Sequence, residues 1–363
     1  MSEPERRSRR ESLAAADDII RTPRPQPRWR LALGLLISLG IVLLVILNRA
    51  WILEALALAR AARPLWLLAA LSIILGSYLI SSQVFQVVVR SLGHRVGTLR
   101  LWATALVAIV TSQSLPAGGV GSYAFLLHTF RRRGIPAGAA ALIATLEALS
   151  YAGAMLIFST FGLAYLASRV IAADSDGSSL LAPLLAIGVA LLLIGAVAAL
   201  LTRREATLTR WLLALHKLLA HTLGWPRSDA WAHRSVAELA RGRALVAERR
   251  GIIACLVLIQ LVALSGHSLA LYLILRSLGA HVSFLTVVAA FGIGLLTSTF
   301  NVLPGGGGTV EAALVAVLAQ LGAGAAAVPA AILFRLLNFW MLLPLAAGCY
   351  AWLMREREAV QAA

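Results

Sequence analysis

Leu303-Pro304-Gly305-Gly306-Gly307-Gly308, with Glu311 just beyond it, is the stretch on which the fold turns. Proline removes a backbone donor and glycine carries the largest backbone entropy cost, so four glycines after a proline cannot continue a helix. The stretch follows a polar run, Thr297-Ser298-Thr299 and Asn301, yet lies between two strongly apolar segments. Irregular backbone at membrane depth is tolerated only where protein buries it or where it lines a wet cavity. A break here predicts a cavity. The break has a partner in Leu115-Pro116-Ala117-Gly118-Gly119-Val120-Gly121, and both follow a Thr-Ser pair, Thr297-Ser298 and Thr111-Ser112.

The correspondence extends outward from the breaks. Arg90-Ser91-Leu92-Gly93 recurs 186 residues later as Arg276-Ser277-Leu278-Gly279, and Val96 and Leu99 recur as Val282 and Leu285. After a two-residue insertion the offset becomes 188. Pro116 then matches Pro304, Gly118-Gly119 match Gly306-Gly307, and Gly134 matches Gly322. At that offset Glu147 falls opposite Arg335. A series in one order with one small insertion reads as an internal duplication of 64–168 and 251–353.

The composition agrees with a membrane location. The 363 residues are 60% apolar and 13% charged, with a mean hydropathy of +0.85. Those values describe a polytopic membrane protein. Cys255 and Cys349 lie in apolar segments and offer neither a metal spacing nor a disulfide framework. The net charge of +16 could point to nucleic acid, but its distribution follows membrane topology instead.

Residues 1–30, rich in arginine and proline, read as a disordered cytoplasmic tail. Residues 31–63 hold an anchor span, Leu31 to Leu47, and a connector; a cleaved signal peptide is the rival reading, disfavoured by the long charged lead. Further spans are expected at 65–89, 138–168, 180–201, 251–275 and 328–353. Residues 101–115 and 119–130 are each shorter than the ~20 a spanning helix needs, so they read as a re-entrant hairpin. The stretch 284–320 repeats it. The expected fold is therefore all-α, with six full spans and two re-entrant Pro-Gly hairpins; simple hydropathy would give about eight spans.

Charge orients this scheme. With the N-terminus inside, the segments 1–30, 90–100, 131–137, 202–250 and 354–363 face the cytoplasm and hold 26 of the 32 Lys/Arg. The outside segments hold 5, and Arg335 is left within a span. This bias is the positive-inside signature. Three spans separate the hairpins, so the first enters from the cytoplasm and the second from outside. The repeats are inverted, and the C-terminal tail, 354–363, is cytoplasmic.

Inverted repeats with broken helices place a binding site where the halves meet. Each return limb begins at its glycines with free N–H groups and a partial positive charge, a setting suited to phosphate or carboxylate. The alternative is that the glycines only permit close helix packing. Glu147 and Arg335 both fall near mid-membrane by position, with Ser150 and Tyr151 on the face of the first, Asn338 and Phe339 on that of the second. Intramembrane charge demands a partner or a wet path. A Glu147–Arg335 clamp between the halves is one reading, and headgroup contact by Arg335 is the other. Glu311 is either a ligand group or a carboxylate complementing a helix N-terminus. His267 is expected to make an interhelical hydrogen bond. Arg131, Arg132 and Arg133 close the first hairpin, as topology determinants or as collectors of anionic headgroups.

The basic segment 202–250 carries leucines and tryptophans at helical spacing, as an interfacial helix would. No nucleotide, zinc or dinucleotide motif occurs, and no nucleophile, base and orienting group assemble by motif. An enzyme is therefore not expected, nor is a cofactor or metal.

Leu303-Pro304-Gly305-Gly306-Gly307-Gly308 with Glu311, then Gly322, Arg335 and Phe339-Trp340, resembles the transmembrane domain of the lysylphosphatidylglycerol synthases. Pro116-Gly118-Gly119 with its basic exit resembles the same family's first motif, although Ser122 and Tyr123 stand where that pattern has an acidic residue. The resemblance covers 64–353. It implies a stand-alone, flippase-like member in the bacterial inner membrane, without the synthetase domain and so without synthesis of the lipid. The expected substrate is a phospholipid or lipid-linked anionic headgroup. It would pass Arg131–Arg133, the glycine-rich termini, Arg335 and Glu147 while its tails stay in lipid. Alternatives are recycling of a polyprenyl-phosphate carrier and a non-transporting accessory of a lipid-modifying enzyme docked through 202–250. One chain with both repeats supplies a complete pathway without excluding a dimer.

Overall fold

The computed structural model describes residues 62–114, 118–173, 249–298 and 309–362, with a few isolated positions besides. The tail 1–30, the anchor region 31–61, the expected span 180–201, nearly all of 202–250, and the two break loops 115–117 and 299–308 lie outside the described residues. Pro116 and Pro304, Gly305, Gly306, Gly307 and Gly308 are therefore among the residues not described.

The described residues are helical, with no strand among them. In chain order the helices are α1 (Pro64–Ser91), α2 (Thr98–Ser114), α3 (Gly118–Arg131), α4 (Ala137–Ala173), α5 (Arg250–Ser277), α6 (Phe284–Ser298), α7 (Thr309–Leu318), α8 (Ala327–Arg335) and α9 (Leu342–Ala362). Among the described residues four helical runs are long and apolar enough to cross a membrane: Pro64–Ser91, Ala137–Ala172, Arg250–Ser277 and Thr309–Met354. At ~1.5 Å per residue the 17 residues of α2 and the 15 of α6 fall short of a ~30 Å core.

The helix stops follow local chemistry. Pro64 opens α1, where its missing N–H costs nothing. At the other end Gly93 takes φ 79°. Its N–H bonds to the Arg90 carbonyl and that of His94 to Val89, the Schellman pattern that caps a helix through a left-handed glycine. Arg276–Ala280 repeats the pattern around Gly279 (φ 80°), and Arg131–Ile135 around Gly134 (φ 78°). Gly322, 188 residues after Gly134, stands at φ 100°. There the run Thr309–Met354 breaks, with non-helical backbone at Leu321 and Gly322. The break is a reversal. Glu311 and Arg335 would lie ~36 Å apart along one straight helix, yet their side chains meet at 3.2 Å.

α1 and α5, both 28 residues and 186 apart in sequence, pack side by side over much of their length. Their contacts run in opposite directions. Ser77 faces Gly266, Tyr78 meets His267, and Ser81 donates to Gln260 Oε1 at 3.0 Å. From the Ser77–Gly266 and Tyr78–His267 contacts to Ser81–Gln260 one residue number rises while the other falls, so the helices are antiparallel. α4 and α6 are antiparallel as well: Tyr165 OH lies 3.1 Å from Thr286 Oγ1 and Ser159 donates to the Gly292 carbonyl at 2.9 Å. Gly162 abuts the Ala289 carbonyl and Gly292 the Phe158 carbonyl, so neither position has room for a Cβ. Small residues give packing its close approach in lipid, where no hydrophobic drive distinguishes helix from acyl chain.

Two apolar clusters form core among the described residues. Val84, Phe85 and Val88 of α1 join Leu101 and Ala105 of α2, Leu126 and Phe130 of α3, and Ile143 of α4. Leu101 and Phe130, at opposite ends of the α2–α3 segment, share that cluster, so α3 folds back along α2. Ala154 and Phe158 of α4, Leu264 of α5, and Phe291 and Leu295 of α6 form the second cluster, against which Phe334 of α8 packs.

Candidate functional site

The site grows from the reversal between α7 and α8. Glu311 lies in the first turn of α7 and Arg335 closes α8. Arg335 Nη1 and Glu311 Oε1 are 3.2 Å apart, with the side chains only 19% and 12% exposed. This corrects the expected clamp. Arg335 pairs with the acid of its own half, not with Glu147. The reason is local: the turn at Leu321–Gly324 brings α7 back alongside α8, so the nearest carboxylate is Glu311. The Glu147 carboxylate makes no ion pair or hydrogen bond among the described residues, and Ser150, on the next turn, donates to the Glu147 carbonyl at 2.9 Å.

Beyond Arg335 the helix widens. Leu336–Trp340 forms a π-helical turn, closed by Met341 N–H donating to the Leu336 carbonyl at 2.9 Å. Such turns insert a residue into the helical register and concentrate at functional sites. Here the turn presents two side chains. The Phe339 ring lies under the guanidinium, with Cζ 4.5 Å from its centroid, a cation–π contact. Asn338 Oδ1 accepts from Tyr78 OH at 2.7 Å, which ties the turn to α1 across 260 residues of sequence. Gln113, near the end of α2, also faces the Tyr78 hydroxyl.

An aromatic chain backs the pair. Tyr78 meets His267 edge-on at 4.8 Å, His267 stacks on Phe291 at 6.2 Å, and Phe291 meets Phe334 at 5.9 Å. His267 therefore departs from expectation. Its Nδ1 lies 2.9 Å from the Ala263 carbonyl of its own helix, and it joins neighbouring helices through its ring rather than a hydrogen bond.

The pair is incompletely satisfied. Glu311 Oε2 and Arg335 Nη2 are buried and have no hydrogen-bond partner among the described residues. A buried polar atom left unpaired costs on the order of 1–3 kcal/mol, more when charged. One free acceptor and one free donor, side by side on an ion pair, can receive a ligand without dismantling the pair.

Of the residues expected in the path, Arg335, Asn338 and Glu311 lie in one neighbourhood with Phe339. Gly118 and Gly119 begin α3. Arg131 and Arg132 are exposed at its far end, and Arg133 is half-buried in the turn that follows. Tyr78 was not anticipated. At the 186 offset it stands opposite Leu264, so the repeat gives no hint of it, and a hydroxyl among apolar neighbours on α1 was its one visible signal.

Compared with known proteins, residues 31–346 match the family model described as the lysylphosphatidylglycerol synthase TM region. No curated protein matches the chain.

Proposed function

The chain belongs to the lysylphosphatidylglycerol synthase transmembrane-region family, and from that premise we propose that it translocates a phospholipid or lipid-linked anionic headgroup across the bacterial inner membrane. The observation that carries the proposal is the buried Glu311–Arg335 pair, each member of which keeps one atom with no partner among the described residues. A charge pair placed only for stability would have both ends satisfied, because a half-satisfied network is worse than an apolar one. A phosphate oxygen can accept from Arg335 Nη2, and a headgroup hydroxyl can donate to Glu311 Oε2.

The architecture we propose for it is an inverted repeat with two re-entrant hairpins, α2–α3 and α6–α7, and both termini in the cytoplasm. Three features support this. The mated helices α1 and α5 have equal length and run antiparallel. Left-handed glycines recur at both offsets, Gly93 with Gly279 and Gly134 with Gly322. Each short first limb packs on the long last helix of the other half, α2 on α9 and α6 on α4. Headgroups then collect at Arg131–Arg133 on the cytoplasmic face and pass the glycine-rich breaks, Arg335, Asn338 and Glu147. The protein makes no bond in this reading; it is a transporter, not an enzyme, and needs no cofactor.

The test is translocation in proteoliposomes of the full chain, with headgroup-labelled anionic and zwitterionic lipids and a membrane-impermeant quencher. Selective movement of anionic headgroups, lost in folded Arg335→Ala and Gly306→Leu variants, is the expected result. Movement no faster than in empty liposomes for every lipid would reject the transporter reading in favour of an accessory role.

A further inference from the structure

The geometry points to a second anion site, a phosphate-binding cup at the turn between α1 and α2. It is separate from the Glu311–Arg335 pair and independent of the transport reading. A concavity of about 730 Å³ opens there, lined by Gln86, Arg90, His94, Arg95, Val96 and Thr98 among others. That volume lies within the range of small-molecule sites. Its lining is cationic and polar, with Val96 its main apolar contribution.

The floor of the cup is built. Gln86 is only 7% exposed. With its amide turned to satisfy both groups, its oxygen accepts from Arg90 Nε at 2.8 Å and Nη2 at 2.9 Å, and its nitrogen donates to the Val96 carbonyl at 3.3 Å. Two bonds to one oxygen hold the guanidinium plane in a fixed pose in the wall of the cup. A guanidinium held this way has lost its rotamer freedom before any ligand arrives, and its planar fork suits phosphate. The side chains of His94 and Arg95 make no hydrogen bond or ion pair among the described residues.

Three basic residues at a helix end are ordinarily topology signals. The mated turn of the second half supplies the control. Arg90, Gly93 and Val96 recur there as Arg276, Gly279 and Val282, and the left-handed glycine is alike, φ 79° against 80°. The contents differ. Tyr272 stands at the position of Gln86 and Phe284 at that of Thr98, and those two rings meet edge-on at 5.9 Å. Arg276 Nη1 is engaged by His281 Nδ1 at 2.7 Å. Thus one turn is plugged by an aromatic pair with its arginine turned to a histidine, while the other is open, with its arginine braced from below. Packing alone needs no such brace. Leu99, one residue past Thr98, is 61% exposed and offers an apolar rim beside the cup. A phosphate carried on a lipid meets both surfaces; free phosphate meets only the cations.

The test uses the full chain in phosphatidylcholine nanodiscs doped with phosphatidylglycerol, with retained lipid counted by native mass spectrometry, and inorganic phosphate as competitor. Phosphatidylglycerol is expected to be enriched over phosphatidylcholine. Arg95→Gln should lower the enrichment roughly fivefold, the effect of one cation near a membrane surface. Transplanting the plug, Gln86→Tyr with Thr98→Phe, should abolish it in protein that still melts cooperatively. Arg276→Gln, an equal charge change at the mated turn, should leave it intact. Displacement by inorganic phosphate at equal affinity would keep the phosphate site but assign it to soluble anions. No enrichment in the wild type, enrichment untouched by both cup variants, or equal loss in Arg276→Gln would overturn the proposal. Because the readout is binding, its failure is distinct from a failure of translocation.

Discussion

The two halves of the chain place polar groups at matching positions and satisfy them differently. In the second half Glu311 and Arg335 meet at 3.2 Å on adjacent helices, with Phe339 under the guanidinium. In the first half the mates of those three residues are Tyr123, Glu147 and Tyr151, so a tyrosine stands at the acid's position and an acid at the arginine's. Glu147 accordingly has no ion pair among the described residues. A buried ion pair thus stands in one half, and in the other a carboxylate with no ion-pair partner among the described residues. The helix ends changed least: Gly93 and Gly279 hold nearly the same φ, because a Schellman turn tolerates few residues.

The sharpest test of this asymmetry removes one charge from each half. Glu311→Ala leaves the Arg335 guanidinium buried and unpaired, which should lower stability by about 3–5 kcal/mol; thermal melting in detergent reads the loss. The double variant Glu311→Gln with Arg335→Gln should recover a large part of it, since no uncompensated charge remains. Next in size is the helix contact that holds both halves together. Gly292→Ala sets a Cβ against the Phe158 carbonyl and should cost about 1–3 kcal/mol, the penalty of overpacking. Gly348→Ala, where no heavy atom lies within 4 Å of the added Cβ, should not destabilise. Smaller again is Tyr78→Phe, which deletes the hydrogen bond to Asn338 and should cost about 0.5–1.5 kcal/mol. Smallest is Glu147→Gln, expected to change stability by less than about 0.5 kcal/mol because it strands no hydrogen-bond or ion-pair partner among the described residues. A Glu147→Gln loss as large as that of Glu311→Ala would erase the distinction between the halves.

Much of the helix plan was legible. Arg90-Ser91-Leu92-Gly93 and its repeat ended α1 and α5 within two residues of the expected limits, because an arginine in the last turn followed by a glycine is a local stop signal. The residues 101–115 and 119–130 fall on helices α2, which ends at Ser114, and α3, which begins at Gly118. The pairing within the site was not legible. Glu147 and Arg335 share a repeat position and opposite charge, which invites a clamp, but partner choice depends on where the chain reverses. Gly322 marks that reversal in sequence, yet nothing in the residue type says that Glu311 comes back to face Arg335. His267 misled for a similar reason. Its side chain can donate or stack, and the rings of Tyr78 and Phe291, distant in sequence, decided for stacking. Tyr78 itself has no mate of its own kind, so repeat logic passes over it.

The central claim is that the Glu311–Arg335 pair serves a headgroup rather than the fold alone, and a charge swap separates the two roles. Glu311→Arg combined with Arg335→Glu restores a buried pair with its polarity reversed. The account predicts a melting temperature close to wild type together with loss of anionic headgroup movement in proteoliposomes, since the free donor and acceptor have changed places. Wild-type translocation by the swapped, stable protein would contradict it and reduce the pair to a structural clamp.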